Sequence, residues 1–167
     1  MSALAWPGHR WLSLAARLYL AAVFGMACWH KLADPAAFAL DVATYDILPL
    51  AAVNLVAICL PWVELGAALM LLLGLRGRAG ALLVALMMTV FLVALASALA
   101  RGLDISCGCF ASQGAADDPI SWRTVVRDLA WLGLAVYVLV ADRRPIGLDS
   151  WAPSIHARRP TPDVRRQ

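Results

Sequence analysis

The segment from Ala79 to Ala100, AGALLVALMMTVFLVALASALA, contains no charged side chain. A helix needs about 20 mostly apolar residues to cross the hydrocarbon core of a bilayer, and this segment has that length. A chain inside lipid must satisfy its own backbone hydrogen bonds, so the segment is predicted to be a transmembrane helix. This one run places the chain in a membrane.

Three further apolar runs extend the pattern, and we predict spanning helices at about residues 12–32, 48–75, 79–100 and 120–141. The first run is interpreted as a retained helix, because it is long and lacks a convincing Ala-x-Ala cleavage site. Hydrophobic residues make up 62% of the chain and charged residues 15%, against about 45–50% and about 25% in an ordinary soluble domain. The predicted fold is an all-α integral membrane protein, an antiparallel four-transmembrane-helix bundle within residues 1–141.

The basic residues divide unequally between the two ends of this bundle. Ten lie at the end with both termini and the second-to-third turn: Arg10, Arg17, Arg76, Arg78, Arg143, Arg144, Arg158, Arg159, Arg165 and Arg166. Four lie at the other end: Lys31, Arg101, Arg123 and Arg127. The positive-inside rule then predicts cytoplasmic termini and an extracytoplasmic loop before the last helix. In a bacterium, such a chain is expected in the inner membrane. Residues 142–167 are predicted to be a disordered basic cytoplasmic tail near anionic lipid. The scattered arginines argue against nucleic-acid binding.

A pair of cysteines lies in the polar segment before the last helix, in the sequence ISCGCFA of residues 105–111. Gly108 separates Cys107 from Cys109 and allows the backbone to bend sharply at low steric cost. A disulfide that closes so small a ring is strained, and strained or exposed disulfides exchange readily. Thiols on the predicted outer side are commonly oxidised. Cys107 and Cys109 are therefore the candidate catalytic residues of thiol–disulfide exchange.

The cysteine pair by itself also fits an inert loop disulfide or two thiols without function. A thiolate near Arg101, or at the start of the last helix, would be stabilised and more reactive, so Arg101 is a candidate supporting residue. Zinc prefers four ligands, and few others are near the loop. Copper(I) accepts two thiolates, but we assign no metal site.

Two further thiols lie within the predicted helices. Cys28 lies about one turn from the outer end of the first helix, which makes it a possible supporting thiol, although a structural role is preferred. Cys59 lies deeper in the second helix. It is predicted to be buried as a small hydrophobic side chain.

Glu64 lies near the middle of the second predicted helix, in the sequence PWVELG. A carboxylate at that depth is costly and marks either a function or a buried partner. The candidate partners are His30, Lys31 and Arg127. Together with the neighbouring Asp128, these residues are either a polar clasp that holds the bundle together or a group that handles protons, and both interpretations stay open.

Several short motifs occur in an order that is specific when taken together: Lys31-Leu32-x-Asp34-Pro35, Tyr45, Leu48-Pro49, Leu60-Pro61-Trp62-x-Glu64, Arg101-Gly102, Cys107-Gly108-Cys109-Phe110 and Arg127-Asp128. This order resembles the MauE family, the methylamine-utilisation membrane proteins of the DoxX-like group, over roughly Arg17 to Val140. The chain departs from the family pattern at Ala111, where glycine is common after the phenylalanine.

The resemblance implies a four-helix membrane protein that assists the maturation of exported proteins with a thioredoxin-like partner. In the methylamine system, the client is the small subunit of methylamine dehydrogenase, which carries many disulfides and a tryptophan-derived cofactor. The leading hypothesis is that Cys107 and Cys109 pass electrons between an extracytoplasmic thioredoxin-like protein and the membrane pool. Quinone is a candidate acceptor, and Glu64 is a candidate for handling the accompanying protons. The direction of electron flow stays open.

Two other classes of function are compatible with the same residues. The chain could be a non-catalytic assembly factor for exported subunits, in which a static Cys107–Cys109 bridge braces the loop. It could also be a transporter of a small solute or a metal ion, which requires a polar path through the bundle. Loss of both cysteines would abolish exchange but need not abolish docking, so this pair of substitutions separates the first two hypotheses.

Overall fold

The computed structural model describes residues 9–109 and 119–141. Five α-helices lie in this part of the chain: α1 (His9–Ala33), α2 (Pro35–Thr44), α3 (Leu50–Leu73), α4 (Gly77–Ala100) and α5 (Trp122–Ala141). Four of them, α1, α3, α4 and α5, are long and apolar enough to cross a membrane. The predicted all-α bundle of four transmembrane helices is therefore confirmed. Phe110, Ala111 and the predicted tail 142–167 lie outside the described residues.

Contacts at one end of the bundle show that its spans alternate in direction. The start of α1 meets the end of α5, where the Tyr137 hydroxyl lies 3.1 Å from Nδ1 of His9. At the start of α4, Nε of Arg78 donates to the Leu139 carbonyl at 3.0 Å, again at the end of α5. Helix α1 packs mainly on α3, and α4 packs mainly on α5. The opposite end, which carries α2 and the cysteine pair, is called the loop end below.

Close packing of the four spans rests on apolar side chains of moderate size. Leu20, Leu71, Val84 and Ala135, one from each span, are fully buried. A Cβ atom on Gly80 of α4 would lie 3.0 Å from a side chain of α3, so glycine permits the close approach of these two helices. Large apolar side chains cover the outside, as expected where lipid is the solvent, and include Trp29, Trp62, Val90 and Trp122.

A short helix that the apolar pattern did not predict, α2, connects the first two spans. Oδ1 of Asp34 accepts a hydrogen bond of 2.9 Å from the backbone N–H three residues later, and Pro35 begins the helix. Both are typical of a helix start. After the helix ends, the guanidinium of Arg101 donates to the carbonyls of Tyr45 and Asp46. These contacts fix α2 across the loop end.

Candidate functional site

Cys107 and Cys109 form a disulfide in the segment between α4 and α5, with their Cα atoms 5.4 Å apart. Gly108, between them, has a φ of +67°, in the left-handed region that glycine adopts without steric cost. Gly108 also lies close to α2, because a Cβ atom there would be 3.0 Å from Cβ of Asp41. Glycine therefore supplies both the bend and the space that this short disulfide ring requires.

Contacts on both sides fix the disulfide segment. Ser106 forms an antiparallel bridge with Pro119, next to a 3.1 Å backbone hydrogen bond between the same two segments. On the other side, the Tyr45 hydroxyl donates to the Cys107 carbonyl at 3.0 Å. The disulfide is thus held between the end of α2 and the residues that lead into α5.

The disulfide faces a cation on α5. Nη2 of Arg127 lies 3.4 Å from Sγ of Cys107 and 3.7 Å from Sγ of Cys109. Nε of the same guanidinium lies 3.0 Å from Oδ1 of the fully buried Asp128. The guanidinium carbon is 4.8 Å from the centre of the Trp131 ring. These contacts hold a positive charge beside the sulfurs, where it would stabilise a thiolate after the disulfide opens.

The two candidate supporting arginines have different positions. Arg127 contacts the sulfurs, whereas the hydrogen bonds of Arg101 go to the carbonyls that follow α2 and, at 3.4 Å, to the Ser97 carbonyl within its own helix. Arg101 therefore helps to position α2, and α2 in turn contacts the disulfide segment. The cation beside the disulfide comes from the last span.

A buried ion pair joins α1 to α3. Nζ of Lys31 lies 2.6 Å from Oε1 of Glu64, and the two side chains are 10% and 8% exposed. Nζ also lies 5.0 Å from the centre of the Phe38 ring, so α2 covers the cation. Oε2 of Glu64 has no hydrogen-bond partner within residues 9–109 and 119–141. Of the three partners proposed for Glu64, Lys31 is the one that the structure brings to it.

An apolar cavity of about 720 Å³ lies against the disulfide. Residues 107–109 form part of its wall, and Lys31 lies in the same wall. Aliphatic and aromatic side chains make up most of the remainder, among them Val63, Met87 and Phe91. The disulfide and the cation of the buried ion pair thus border one apolar space.

The other two cysteines have separate environments. Cys28 is buried in α1, and its thiol donates to the Gly25 carbonyl at 3.2 Å. The prediction that Cys59 is buried is wrong, because its side chain is exposed on α3 and lines the cavity. Depth along a helix does not decide burial in a membrane bundle. The face on which the residue lies decides it, and Cys59 faces away from the core.

Three potential metal ligands also meet at this site. Sγ of Cys107, Sγ of Cys109 and a carboxylate oxygen of Asp128 lie within 4.8 Å of one another. Metals bind the thiolate form of cysteine, and here the two sulfurs are bonded to each other beside a guanidinium. These atoms are available as a ligand set only in the dithiol state.

The contribution of α2 is what the sequence interpretation missed. The apolar pattern and the motif order assign no contact to Tyr45 or Asp41, yet both residues contact the disulfide segment. The signal for this helix was the Asp34-Pro35 pair, which is typical of an N-cap followed by the first helical residue. A helix starting there carries Asp41 on its second turn and ends just before Tyr45.

Comparisons with known proteins agree with one another. The family model for methylamine utilisation protein MauE matches residues 9–141. A methylamine utilization protein MauE of Paracoccus denitrificans is 34% identical over 125 residues, covering 74% of this chain and 66% of that protein. One of Methylophilus methylotrophus is 36% identical over 129 residues, covering 76% and 67%. The chain thus spans about two thirds of the length of these relatives. No solved structure gives a significant match.

Proposed function

The chain belongs to the family of methylamine utilisation protein MauE, and from this premise we propose that it is a membrane thiol–disulfide exchange protein that helps exported proteins to mature. In this proposal, the Cys107–Cys109 disulfide oxidises an extracytoplasmic thioredoxin-like partner, and that partner oxidises a client. In a methylamine pathway, the candidate client is the small subunit of methylamine dehydrogenase.

The proximity of one fixed cation to both sulfurs carries this proposal. Nη2 of Arg127 is 3.4 Å and 3.7 Å from the two Sγ atoms. A disulfide that only braces a loop does not need a positive charge held beside it. A disulfide that opens does, because the departing sulfur carries a negative charge and leaves faster when that charge is stabilised.

The different exposure of the two cysteines supports an order of steps. Cys107 is 2% exposed and Cys109 is half-buried, so a partner thiolate reaches Sγ of Cys109. The bond between partner and Cys109 forms, the Cys107–Cys109 bond breaks, and Cys107 leaves as a thiolate beside Arg127. The partner's second thiolate then attacks the partner sulfur of the mixed disulfide and releases Cys109. Two electrons have moved from the partner to this chain.

The proposed orientation follows from the distribution of basic residues. Arg10, Arg17, Arg76 and Arg78 lie toward the end that holds the α3–α4 turn, and six further arginines follow α5 in the sequence. Against four basic residues toward the loop end, this distribution favours a cytoplasmic location for that turn and for both termini. The disulfide would then face the extracytoplasmic side of a bacterial inner membrane, where disulfides persist. A partner that carries disulfides to exported clients works in that compartment.

The proposal is tested by trapping the mixed disulfide in native membranes. In the Cys107→Ala variant, the Cys109 thiolate attacks the disulfide of an oxidised partner, so that a mixed disulfide forms and the partner's second thiol is set free. Alkylating the membranes with N-ethylmaleimide blocks that thiol, which would otherwise resolve the bond. We therefore expect a crosslinked species that disappears on reduction, and mass spectrometry can identify its second component. Cys109→Ala is the matched control. It should trap much less partner, because Cys107 is buried. Absence of a crosslink from both variants, at normal protein levels, would contradict the exchange mechanism.

A static bridge is the second candidate function, and the anchoring of the disulfide segment favours it. Tyr45 and the Ser106–Pro119 bridge hold this segment from two sides, as a rigid docking surface would require. The Cys107→Ser, Cys109→Ser double variant separates the two functions. If it still supports client maturation in a deletion strain, exchange is not the function.

A further inference from the structure

The cavity beside the disulfide opens on the lipid-facing surface of the bundle. Leu55 of α3 and Val90 of α4 line it, although their side chains are 63% and 71% exposed. Its volume of about 720 Å³ is within the range of about 300–1,000 Å³ typical of small-molecule sites. An occupant therefore enters sideways from the membrane and must be soluble in lipid.

Polar groups lie in only part of the described wall, and they include a redox couple. Residues 107–109 border the cavity, as do Lys31, Asp41 and Tyr45. The remaining lining is apolar. An occupant that suits this wall has a long apolar body and one polar, electron-accepting end. An ordinary acyl chain offers nothing to the cation or to the disulfide.

We propose that this cavity binds a membrane quinone, which reoxidises the Cys107–Cys109 dithiol. This inference rests on the proposed exchange function, because the dithiol forms only after a partner has been oxidised. The two thiols lose two electrons and two protons, and the Cys107–Cys109 bond forms again. The quinone gains both electrons and both protons and leaves as quinol. The balance requires no other reactant.

Lys31 is the group in this wall that can orient the quinone. One of its three N–H bonds points to Glu64 Oε1, at 2.6 Å, and the ammonium has further donors for a quinone oxygen. The contact with Glu64 holds the Lys31 side chain in place at this wall of the cavity. A charged donor at the ring oxygen stabilises the negative charge that develops as the quinone accepts electrons.

The first test uses Cys59, which is exposed on the cavity wall. While the disulfide is intact, Cys59 and the buried Cys28 are the free thiols, so alkylation by a membrane-permeant maleimide reports on Cys59. Decylubiquinone is a suitable probe, because its fully substituted ring does not add thiols. We expect this quinone to slow the alkylation of Cys59 by about fivefold or more, as expected when a bound ligand buries most of its contact surface.

The matched control moves the thiol by one residue. Ile58 is 61% exposed on the same helix and is not part of the cavity wall. In the Ile58→Cys, Cys59→Ala variant, decylubiquinone should leave the alkylation rate unchanged. Equal protection of both positions would mean that the quinone only dissolves in the surrounding lipid or detergent, and it would overturn the proposed site.

The second test follows electron transfer in the absence of oxygen. Pre-reduced protein is mixed with decylubiquinone, and the loss of dithiol and the formation of quinol are both measured. We expect one quinol to form for each dithiol lost. Filling the cavity with Ala94→Phe should slow this reaction about tenfold or more. Val93→Phe is the control, since Val93 lies on the lipid-facing side of the same helix, and it should react at the wild-type rate. Equal rates for both variants would overturn the quinone site.

Failure of this inference is distinguishable from failure of the proposed function. Reduction of the Cys107–Cys109 disulfide by a thioredoxin dithiol is measured without any quinone. If that exchange occurs while quinone neither protects Cys59 nor oxidises the dithiol, the quinone site is wrong and the exchange function stands. If thioredoxin does not reduce the disulfide, while chemically prepared dithiol is still oxidised by quinone, the exchange function is wrong.

Discussion

Nη2 of Arg127 lies 3.4 Å from Sγ of Cys107, the less exposed sulfur of the disulfide. The guanidinium is held from two other sides by Asp128 and Trp131, so its charge stays in place when the disulfide opens. A second arginine of α5, Arg123, is exposed near the start of that helix. It provides a control for the loss of a positive charge away from the sulfurs.

Replacing Arg127 by glutamine should slow reduction of the disulfide by a dithiol. A hydrogen bond to a charged group contributes about 1.5–3 kcal/mol, which corresponds to about a tenfold to hundredfold slower reaction. The substitution is made together with Asp128→Asn, so that no buried carboxylate is left without its cation. The rate is followed by thiol alkylation and mass measurement. Arg123→Gln is the control, and an equal slowing by that variant would remove the specific role of Arg127.

Gly108→Ala should destabilise the loop end more than Gly102→Ala. Both glycines have a left-handed backbone, with φ of +67° and +66°, so both substitutions carry the same conformational cost of about 1–2 kcal/mol. Only at Gly108 would the new Cβ meet a neighbour, Cβ of Asp41 at 3.0 Å. We expect Gly108→Ala to lower the fraction of protein with a closed disulfide, as measured by maleimide mass shifts.

The Asp41→Gly substitution provides the rescue for Gly108→Ala, because it removes the Cβ atom that the alanine would contact. In the double variant, the fraction of closed disulfide should recover to the level found in the Gly102→Ala variant. Only the cost of the left-handed backbone then remains. If Gly102→Ala and Gly108→Ala prove equally harmful, backbone conformation alone explains both, and the contact with α2 is unimportant.

Lys31→Met should be strongly destabilising, and Glu64→Leu added to it should restore most of the loss. Removing one partner of a buried ion pair costs about 3–5 kcal/mol, whereas replacing both by apolar side chains is often neutral. The stabilities of the wild type, the two single variants and the double variant are compared by thermal unfolding in detergent, followed by the circular dichroism of the helices. Additive losses would show that the two side chains do not depend on each other.

An impermeant maleimide should label the loop cysteines from outside intact, reduced spheroplasts. The experiment uses a Cys28→Ser, Cys59→Ser background, so that the label can only reach Cys107 or Cys109. The control is Leu75→Cys in a variant without other cysteines, since Leu75 is exposed at the opposite end of the bundle. That position should be labelled only after lysis. The reverse pattern of labelling would invert the proposed topology.

The four spans could be predicted from sequence because lipid imposes a length and a composition that are visible without any knowledge of packing. The partner of Glu64 could not be predicted in the same way. Three cations were within reach by depth, and the choice of Lys31 depends on how α1 is rotated against α3. Likewise, Arg101 is six residues from Cys107 along the chain and Arg127 is 18 residues from Cys109, so distance along the chain favours Arg101. The backbone path after α4 decides that Arg127 meets the sulfurs.

The error at Cys59 and the omission of α2 have related causes. A membrane bundle has apolar side chains on both its inner and outer faces, so apolar character does not tell which face of α3 is buried. Helix α2 is short, with only ten residues, and gives no spanning signal. Its start at Asp34 and Pro35 follows from capping chemistry, which a pattern of long apolar runs does not reveal.

The contact between Lys31 and Glu64 joins residues 33 positions apart on successive spans. During synthesis, Glu64 arrives in the bilayer after Lys31, and a lone carboxylate near the middle of a helix resists release into lipid. We therefore expect the first span to remain beside the insertion channel until the second emerges. The two helices would then enter the lipid as a hairpin whose opposite charges neutralise each other.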